Sequence, residues 1–286
     1  MTQKDKDKVQ EIRKKIFLSA YTGTQSGVLA HLASAFSVVE LMYALYHKKI
    51  LTYDAANPEW ADRDRFILSK GHAGLALYVS LAETGFFQEE ELSTFLQPGS
   101  RIGGEPCLNG LPGVEATSGS LGHGLSMGVG MALAAKLDHK DYKTYVVLGD
   151  GECQEGTIWE AVMSAHKYRL DNLTAIVDYN KVQKMGFIED TMRISEWKDK
   201  WESFGWKAEE IKDGHDVDEI CEVLQKQNDS GEPRVILLNT VKGKGVSCME
   251  NNAAWHFKMP NKRELKRFME ELNITEEELN RCRGLI

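Results

Sequence analysis

The chain has 286 residues, 42% of them apolar and 27% charged, which is the balance of a folded globular protein rather than of a disordered one. Its 43 acidic against 35 basic side chains leave a net charge of −8, which argues against general nucleic-acid binding while leaving room for a local basic pocket. The five cysteines (Cys107, Cys153, Cys221, Cys248, Cys282) are odd in number and lack CxxC spacing, so a disulfide framework or zinc site is not expected and a reducing, cytoplasmic setting is.

The mixed-charge start, MTQKDKDKVQEIRKK, does not read as a signal peptide, and no apolar run is long enough for a membrane span. Residues 5–20 predict an amphipathic helix with Val9, Ile12, Ile16 and Phe17 on one face. Residues 35–47 predict a second, more buried helix. RFILS closes a short apolar stretch, and a helix is expected from Gly71 to Gly85. Glu89–Phe95 suggests another turn or two, and 97–117 reads as a loop. From Ser118, a Gly-, Ala- and Ser-rich helix is expected, buried on most sides. TYVVLGDG then predicts a strand and tight turn, EGTIWEAVMSAHKYRL a helix, and LTAIVDYN a strand. KAEEIKDG suggests a short strand, DVDEICEVLQKQN a helix, RVILLNTVKGKG a strand and glycine loop, and the tail from about 260 is helical. Strands alternating with helices predict an α/β fold, a mostly parallel central sheet flanked by helices, with ligands at the carboxyl ends of the strands. No repeat or linker divides residues 1–286, so a single domain is expected.

Gly149-Asp150-Gly151 is the sharpest local signal. Alone, GDG is as compatible with a simple β-turn as with a ligand site. Its context, strand–GDG–helix–strand–Asn180, places a carboxylate and an amide on neighbouring strand ends, an oxygen donor set that suits Mg2+ beside a phosphate. His31, His72, His123 and His256 lie in Gly- or Ala-rich loops or at helix starts, where imidazole suits proton transfer. Any one of them alone reads first as structural, and His47, His139, His166 and His215 are read so. Lys70 and Lys242 stand beside glycines, as anion anchors or as surface lysines. GHGLSMG at 122–128 does not follow a strand, so a Rossmann dinucleotide site is not expected.

Together, GDG with the later Asn180, DRFILSKGHAGLALY, LPGVEATSGSLGHGLSMGVGMALAAK, VVLGDGECQEGTIWEA, DYNKVQ and TVKGKGVS…WH resemble the N-terminal part of transketolase, in order, from about Lys14 to His256. The resemblance implies thiamine diphosphate and Mg2+ as cofactors. It places Asp150, Asn180 and the Val182 carbonyl on the metal. Gly151 would approach the diphosphate. Ser34, Lys70, His72, Lys242 and His256 would contact cofactor phosphates or substrate, and Gly119, Ser120 and Leu121 the aminopyrimidine. His31 and His256 would bond substrate hydroxyls and shuttle protons, and Glu155 would be an interface acid linked to a neighbouring active site.

The sequence also departs from the family pattern. Ala30 and Ala33 flank the first histidine, Glu105 replaces a substrate-facing histidine, and Phe257 replaces a glycine. These changes bear on the substrate, for which sulfonated or branched ketoses are the alternative to ordinary sugar phosphates. No second domain can be mapped, so the resemblance implies the N-terminal subunit of a two-subunit transketolase. A partner would carry the pyrimidine-binding and C-terminal domains in a heterotetramer. A non-catalytic scaffold is the rival reading, and the retained Asp150, Asn180, histidines and lysines argue against it.

Overall fold

The computed structural model describes residues 1–24, 29–228 and 230–284. Helix α1 (Gln3–Gly23) is opened by a reciprocal capping box between Thr2 and Asp5 and buries Val9, Ile12, Ile16 and Phe17. The helix expected over 35–47 is instead three pieces: α2 (Leu32–Phe36), α3 (Val39–Met42) and a wide π turn over Tyr43–His47. The break falls at Ser37, whose hydroxyl leaves the helical pattern to donate to the Ser34 carbonyl and to Asp178.

Strand β1 (Arg65–Leu68) leads through a single 3-10 turn into α4 (Gly74–Glu83). Helix α5 covers His123–Leu137, starting later than the expected Ser118. Gly119 (φ +129°) and Gly122 (φ +89°) hold backbone conformations that a helix excludes, so 118–122 is a loop. The small residues of α5 have the expected purpose: a Cβ at Gly128 would collide with Val146, and one at Gly124 with Ser69.

Strand β2 (Thr144–Gly149), α6 (Gly156–Lys167) and β3 (Leu173–Tyr179) follow as expected. A hairpin of β4 (Val182–Gln183) and β5 (Gly186–Phe187), the short helix α7 (Ile188–Thr191) and α8 (Trp197–Ser203) are additions to the sequence reading. Then come β6 (Lys207–Ile211), α9 (Val217–Gln225), β7 (Arg234–Asn239), α10 (Lys262–Glu271) and α11 (Glu276–Gly284).

The main sheet is wholly parallel in the order β1-β2-β3-β7-β6. Its central strands are buried on both faces, which explains their unbroken apolar runs. Alternate residues feed two cores. Val147, Ile176 and Ile236 meet α1 to α4, whereas Val146, Ala175 and Val235 meet α5, α6 and α8. Gly149, Asp178 and Leu238 are brought level across β2, β3 and β7, and the loops that follow form the ridge that carries the site. No helix among the described residues is long and apolar enough to cross a membrane.

Helix α1 is fastened to this core by a buried carboxylate. Glu83 meets Lys15 Nζ at 2.6 Å, Lys8 Nζ at 3.0 Å and His47 Nε2 at 3.2 Å. Burial would raise its carboxyl, but His47, Lys15 and Lys8 overcome this and hold it at about 2, below its ordinary 4.5. A depressed folded-state value means that the stabilisation is present above pH 4.5 and is lost as pH falls toward 2. We expect Glu83→Gln to cost about 1–3 kcal/mol at pH 7, discounted because both lysines are partly in water, and to flatten the acid limb between those values. Urea titrations at pH 7 and pH 3 measure both effects, and an equal loss at the two pH values would contradict the assignment.

Candidate functional site

The floor of the site is a buried ion pair. Asp178, near the end of β3, is fully enclosed and accepts hydrogen bonds from Lys70 Nζ, from Ser37 Oγ and Asn180 Nδ2 at 2.8 Å each, and from Thr240 Oγ1. Lys70, just past β1, is equally enclosed and also donates to the Ser34 carbonyl at 3.2 Å. Burial alone would raise the Asp178 carboxyl, but Lys70 and the hydroxyls hold it down, so the pair is ionic.

Two further charges beside this pair have no ion-pair partner among the described residues. Asp150, after β2, is buried and bonded to the amides of Gly151 (2.7 Å) and Lys181, and no basic group among the described residues lies within ion-pair distance. Burial and then Asp178 push its carboxyl up to about 7. Lys242, after β7, is buried and donates to the Val182 carbonyl at 2.7 Å and approaches His256 Nδ1 at 3.2 Å. Burial and then Lys70 pull its ammonium down to about 8. A divalent cation on Asp150 and an anion on Lys242 would neutralise both.

Asn180 is oriented by two hydrogen bonds. Its Nδ2 donates to Asp178, so its Oδ1 points away and, among the described residues, accepts from the Val182 amide at 3.0 Å. Asp150, Asn180 Oδ1 and the Val182 carbonyl, which already accepts from Lys242 Nζ, are oxygens of the kind Mg2+ could take with phosphate and water. Asp150 is the one carboxylate among them, and no three His, Cys, Asp or Glu side chains among the described residues cluster as they would around a metal ion.

Above this floor, three histidines from distant parts of the chain converge. His31 and His256 have ring centroids 5.0 Å apart, His31 and His72 5.4 Å, and His72 and His256 5.8 Å. His31 Nδ1 lies 2.8 Å from the His256 carbonyl, so it carries the proton in that bond. Burial lowers all three, with Lys242 and His31 adding to the effect on His256, which sits at about 3. The rings are neutral near pH 7 and can both give and accept hydrogen bonds. Phe257 packs on His31, ring centroids 4.5 Å apart, and is partly in water.

The other candidates spread around this centre. Ser34 is buried beneath it, and Gly151 faces the side chain of Gln183. The loop of Gly119, Ser120 and Leu121 passes Glu105, whose carboxylate occupies the space that a Cβ on Gly119 would need. Glu155 is exposed at the start of α6 and packs by Gly122, outside the histidine cluster. His123, grouped with the other histidines in the sequence, is exposed at the start of α5, bonded to the Leu121 carbonyl, and takes no part in the cluster.

Two residues escaped the sequence reading. Asp178 is an acid inside an apolar strand, which was the available signal. Glu152 stands directly after GDG, is buried, and accepts from the Gly122 and Gly149 amides at 2.9 Å each and from Ser69 Oγ. Burial raises its carboxyl. It ties the loop before α5 to the ends of β1 and β2.

A family model described as "Transketolase, thiamine diphosphate binding domain" matches residues 5–279. The chain is 44% identical over 229 residues to the 6-deoxy-6-sulfo-D-fructose transketolase subunit of Clostridium sp. (strain MSTE9), covering 80% of this chain and 82% of that one. It is 40% identical over 252 residues to an apulose-4-phosphate transketolase subunit of Phocaeicola vulgatus, covering 88% and 89%. Against the transketolase of Rattus norvegicus it is 34% identical over 272 residues, which are 94% of this chain but 43% of that one. Among solved structures, the transketolase of Campylobacter jejuni matches with a TM-score of 0.85 and 29% identity, over 99% of this chain and 46% of that one.

Proposed function

Because the chain belongs to the transketolase family, we propose that its described loops bind thiamine diphosphate with Mg2+ and, with a partner subunit, transfer a two-carbon ketol unit from a ketose to an aldose. One observation carries this reading: Asp150 and Lys242 are buried charges of opposite sign, neither with an ion-pair partner among the described residues, beneath three neutral histidines. A metal and a diphosphate neutralise both at once. A scaffold protein has no use for such a cost.

When bound, thiamine diphosphate supplies the carbon nucleophile and the electron sink for C–C cleavage and formation. Asp150, Asn180 Oδ1 and the Val182 carbonyl hold Mg2+. Lys242, His72 and Ser34 hold the diphosphate, which approaches Gly151, and Lys70 keeps the floor in place. Gly119, Ser120 and Leu121 face the aminopyrimidine. His31 and His256 bond the sugar hydroxyls and take and return a proton at the hydroxyl beside the bond that breaks. Glu155, exposed at the start of α6, faces the neighbouring subunit.

The partner supplies the pyrimidine-binding and C-terminal domains, giving a heterotetramer. The subunit form of the bacterial relatives and the 43% share of the rat protein support this. Residues 1–286 act as one cofactor-binding domain, in the cytoplasm, a setting that the free cysteines favour.

Glu105 and Phe257 favour the second substrate reading, an unusual ketose such as a sulfonated or branched sugar, in line with what the two bacterial relatives are named for. A carboxylate beside Gly119 would accept from hydroxyls and repel a nearby anion, so the anionic end of the ketose would lie on the partner. The test is a donor panel on the reconstituted complex, wild type against Glu105→His. We expect the variant to shift kcat/KM between ordinary ketose phosphates and sulfonated or branched donors by about tenfold. An unchanged ranking would remove Glu105 from the substrate site, and no calorimetric binding of thiamine diphosphate with Mg2+ would overturn the enzyme reading itself.

A further inference from the structure

The loop that carries Lys242 is gripped on both sides by one buried polar chain. Upstream of Lys242, the Val241 amide donates to His215 Nε2 at 2.8 Å. Downstream, the Lys244 carbonyl accepts from Arg13 Nε at 2.9 Å. Arg13 and His215 lie far apart in sequence, on α1 and on the turn after β6, yet they share one carboxylate. Arg13 donates to both oxygens of Glu40 at 2.7 Å, and His215 Nδ1 donates to Glu40 Oε2 at 2.9 Å. All three side chains are buried. Burial would raise the Glu40 carboxyl, but Arg13 and His215 hold it at about 2, so it is a fixed anion.

This geometry allows one arrangement of protons. The Val241 amide needs a lone pair at Nε2, and Glu40 needs a proton at Nδ1. The neutral Nδ1-protonated ring satisfies both, and Glu40 enforces it, as a carboxylate orients a ligand imidazole in many sites. The segment is further tied by the Gly243 amide on the Ala33 carbonyl at 3.0 Å and the Asn251 amide on the Lys242 carbonyl at 2.9 Å. Arg13, Glu40 and His215 touch no candidate ligand atom. They act on the site only through the backbone on either side of Lys242.

We propose that Arg13, Glu40 and His215 form a positioning relay that holds the Lys242 loop against the Val182 carbonyl and His256, and so sets the affinity of the site for its diphosphate cofactor. The affinity half rests on the cofactor role of Lys242 given above. The relay explains why α1, which packs mainly through Val9, Ile12, Ile16 and Phe17, also buries the charged side chain of Arg13. It also makes His215, one of the histidines read as structural, a determinant of the site.

The test uses the chain assembled with its partner. It compares His215→Phe, which keeps the ring volume and loses both bonds, with His215→Gln, which restores an acceptor near Nε2. Amide hydrogen exchange in the cofactor-free complex is read at 241–245 and at β2 and β3, and thiamine diphosphate affinity is read at fixed Mg2+. For His215→Phe we expect exchange at 241–245 to rise at least about tenfold with β2 and β3 unchanged. The cofactor Kd should rise about 10–100-fold while kcat at saturating cofactor stays within about threefold. His215→Gln should recover most of both. Unchanged loop exchange in His215→Phe, or a rise shared equally by β2 and β3 and not rescued by Gln, overturns the relay. Lys242→Met in the same titration separates the two claims. If it leaves cofactor affinity unchanged, the cofactor role of Lys242 falls and the affinity half falls with it, while the exchange pattern still decides the positioning.

Discussion

Replacing Asp150 by Asn should abolish metal-dependent cofactor capture and leave the fold intact. In titrations of the reconstituted complex, thiamine diphosphate affinity at millimolar Mg2+ should fall at least about 100-fold, since loss of a direct ligand should exceed the 10–100-fold typical of outer partners. Turnover at ordinary cofactor concentrations should fall with it. The argument is one of charge. Asp150 is the only carboxylate in the proposed donor set, beside the Asn180 amide and the Val182 carbonyl. Mg2+ binds through one or two carboxylates plus phosphate, so removing the one removes the anchor. The variant keeps its shape, because an amide oxygen still accepts from the Gly151 amide, which now lies 2.7 Å from the carboxylate. The Lys181 amide would then face an NH2 group, a loss of about 1 kcal/mol. Relief from burying an uncompensated anion offsets that loss. Thermal melts of the cofactor-free chain should therefore sit within a few degrees of wild type. A variant whose affinity still rises with Mg2+ as wild type does would remove Asp150 from the metal site.

The parts of this site that could be read in the sequence are those in which one short segment carries both the fold signal and the chemistry. Gly149-Asp150-Gly151 closes an apolar strand, and Asn180 closes the next, so parallel pairing alone makes them neighbours. The histidine cluster is different in kind. His31 and His256 are 225 positions apart, and nothing local marks them above His123, which sits in a glycine-rich segment and faces water. Only the packed structure separates them, and at the level of the sequence it was the family pattern that singled them out. Asp178 was hidden for a related reason. Its strand is read as an apolar run, and the one charge in it is tolerated because Lys70 arrives from a strand two places away. Helix α8 was passed over because WKDKWES is short and highly charged. Its signal was the spacing of Trp197 and Trp201, four apart, which places both rings on one buried face. The continuous helix expected over 35–47 failed because Ser37 bonds Asp178 instead of continuing the pattern.

The second large effect is expected at Lys70. Lys70→Met should cost about 3–5 kcal/mol of unfolding free energy, because it strips the counter-ion from a carboxylate that has no access to water. Ser37, Thr240 and Asn180 would still donate to Asp178, yet neutral donors cannot replace a charge at that depth. Asp178→Asn should cost a comparable amount by leaving the ammonium stranded. The double variant should be more stable than either single one, since two neutral side chains remove both stranded charges. A cycle built on these four proteins should thus give a coupling energy above about 1.5 kcal/mol, measured by urea unfolding of the cofactor-free chain. The effect should also reach the site. Asp178 fixes the Asn180 amide with its nitrogen inward and its oxygen toward Val182, so even the double variant should bind Mg2+ and cofactor more weakly than wild type. Stability regained without affinity regained would show that the buried pair is kept for the orientation it imposes, as well as for the energy it contributes. Additive single effects would instead mean that Lys70 and Asp178 are not energetically coupled, and the ionic floor of the site would have to be redrawn.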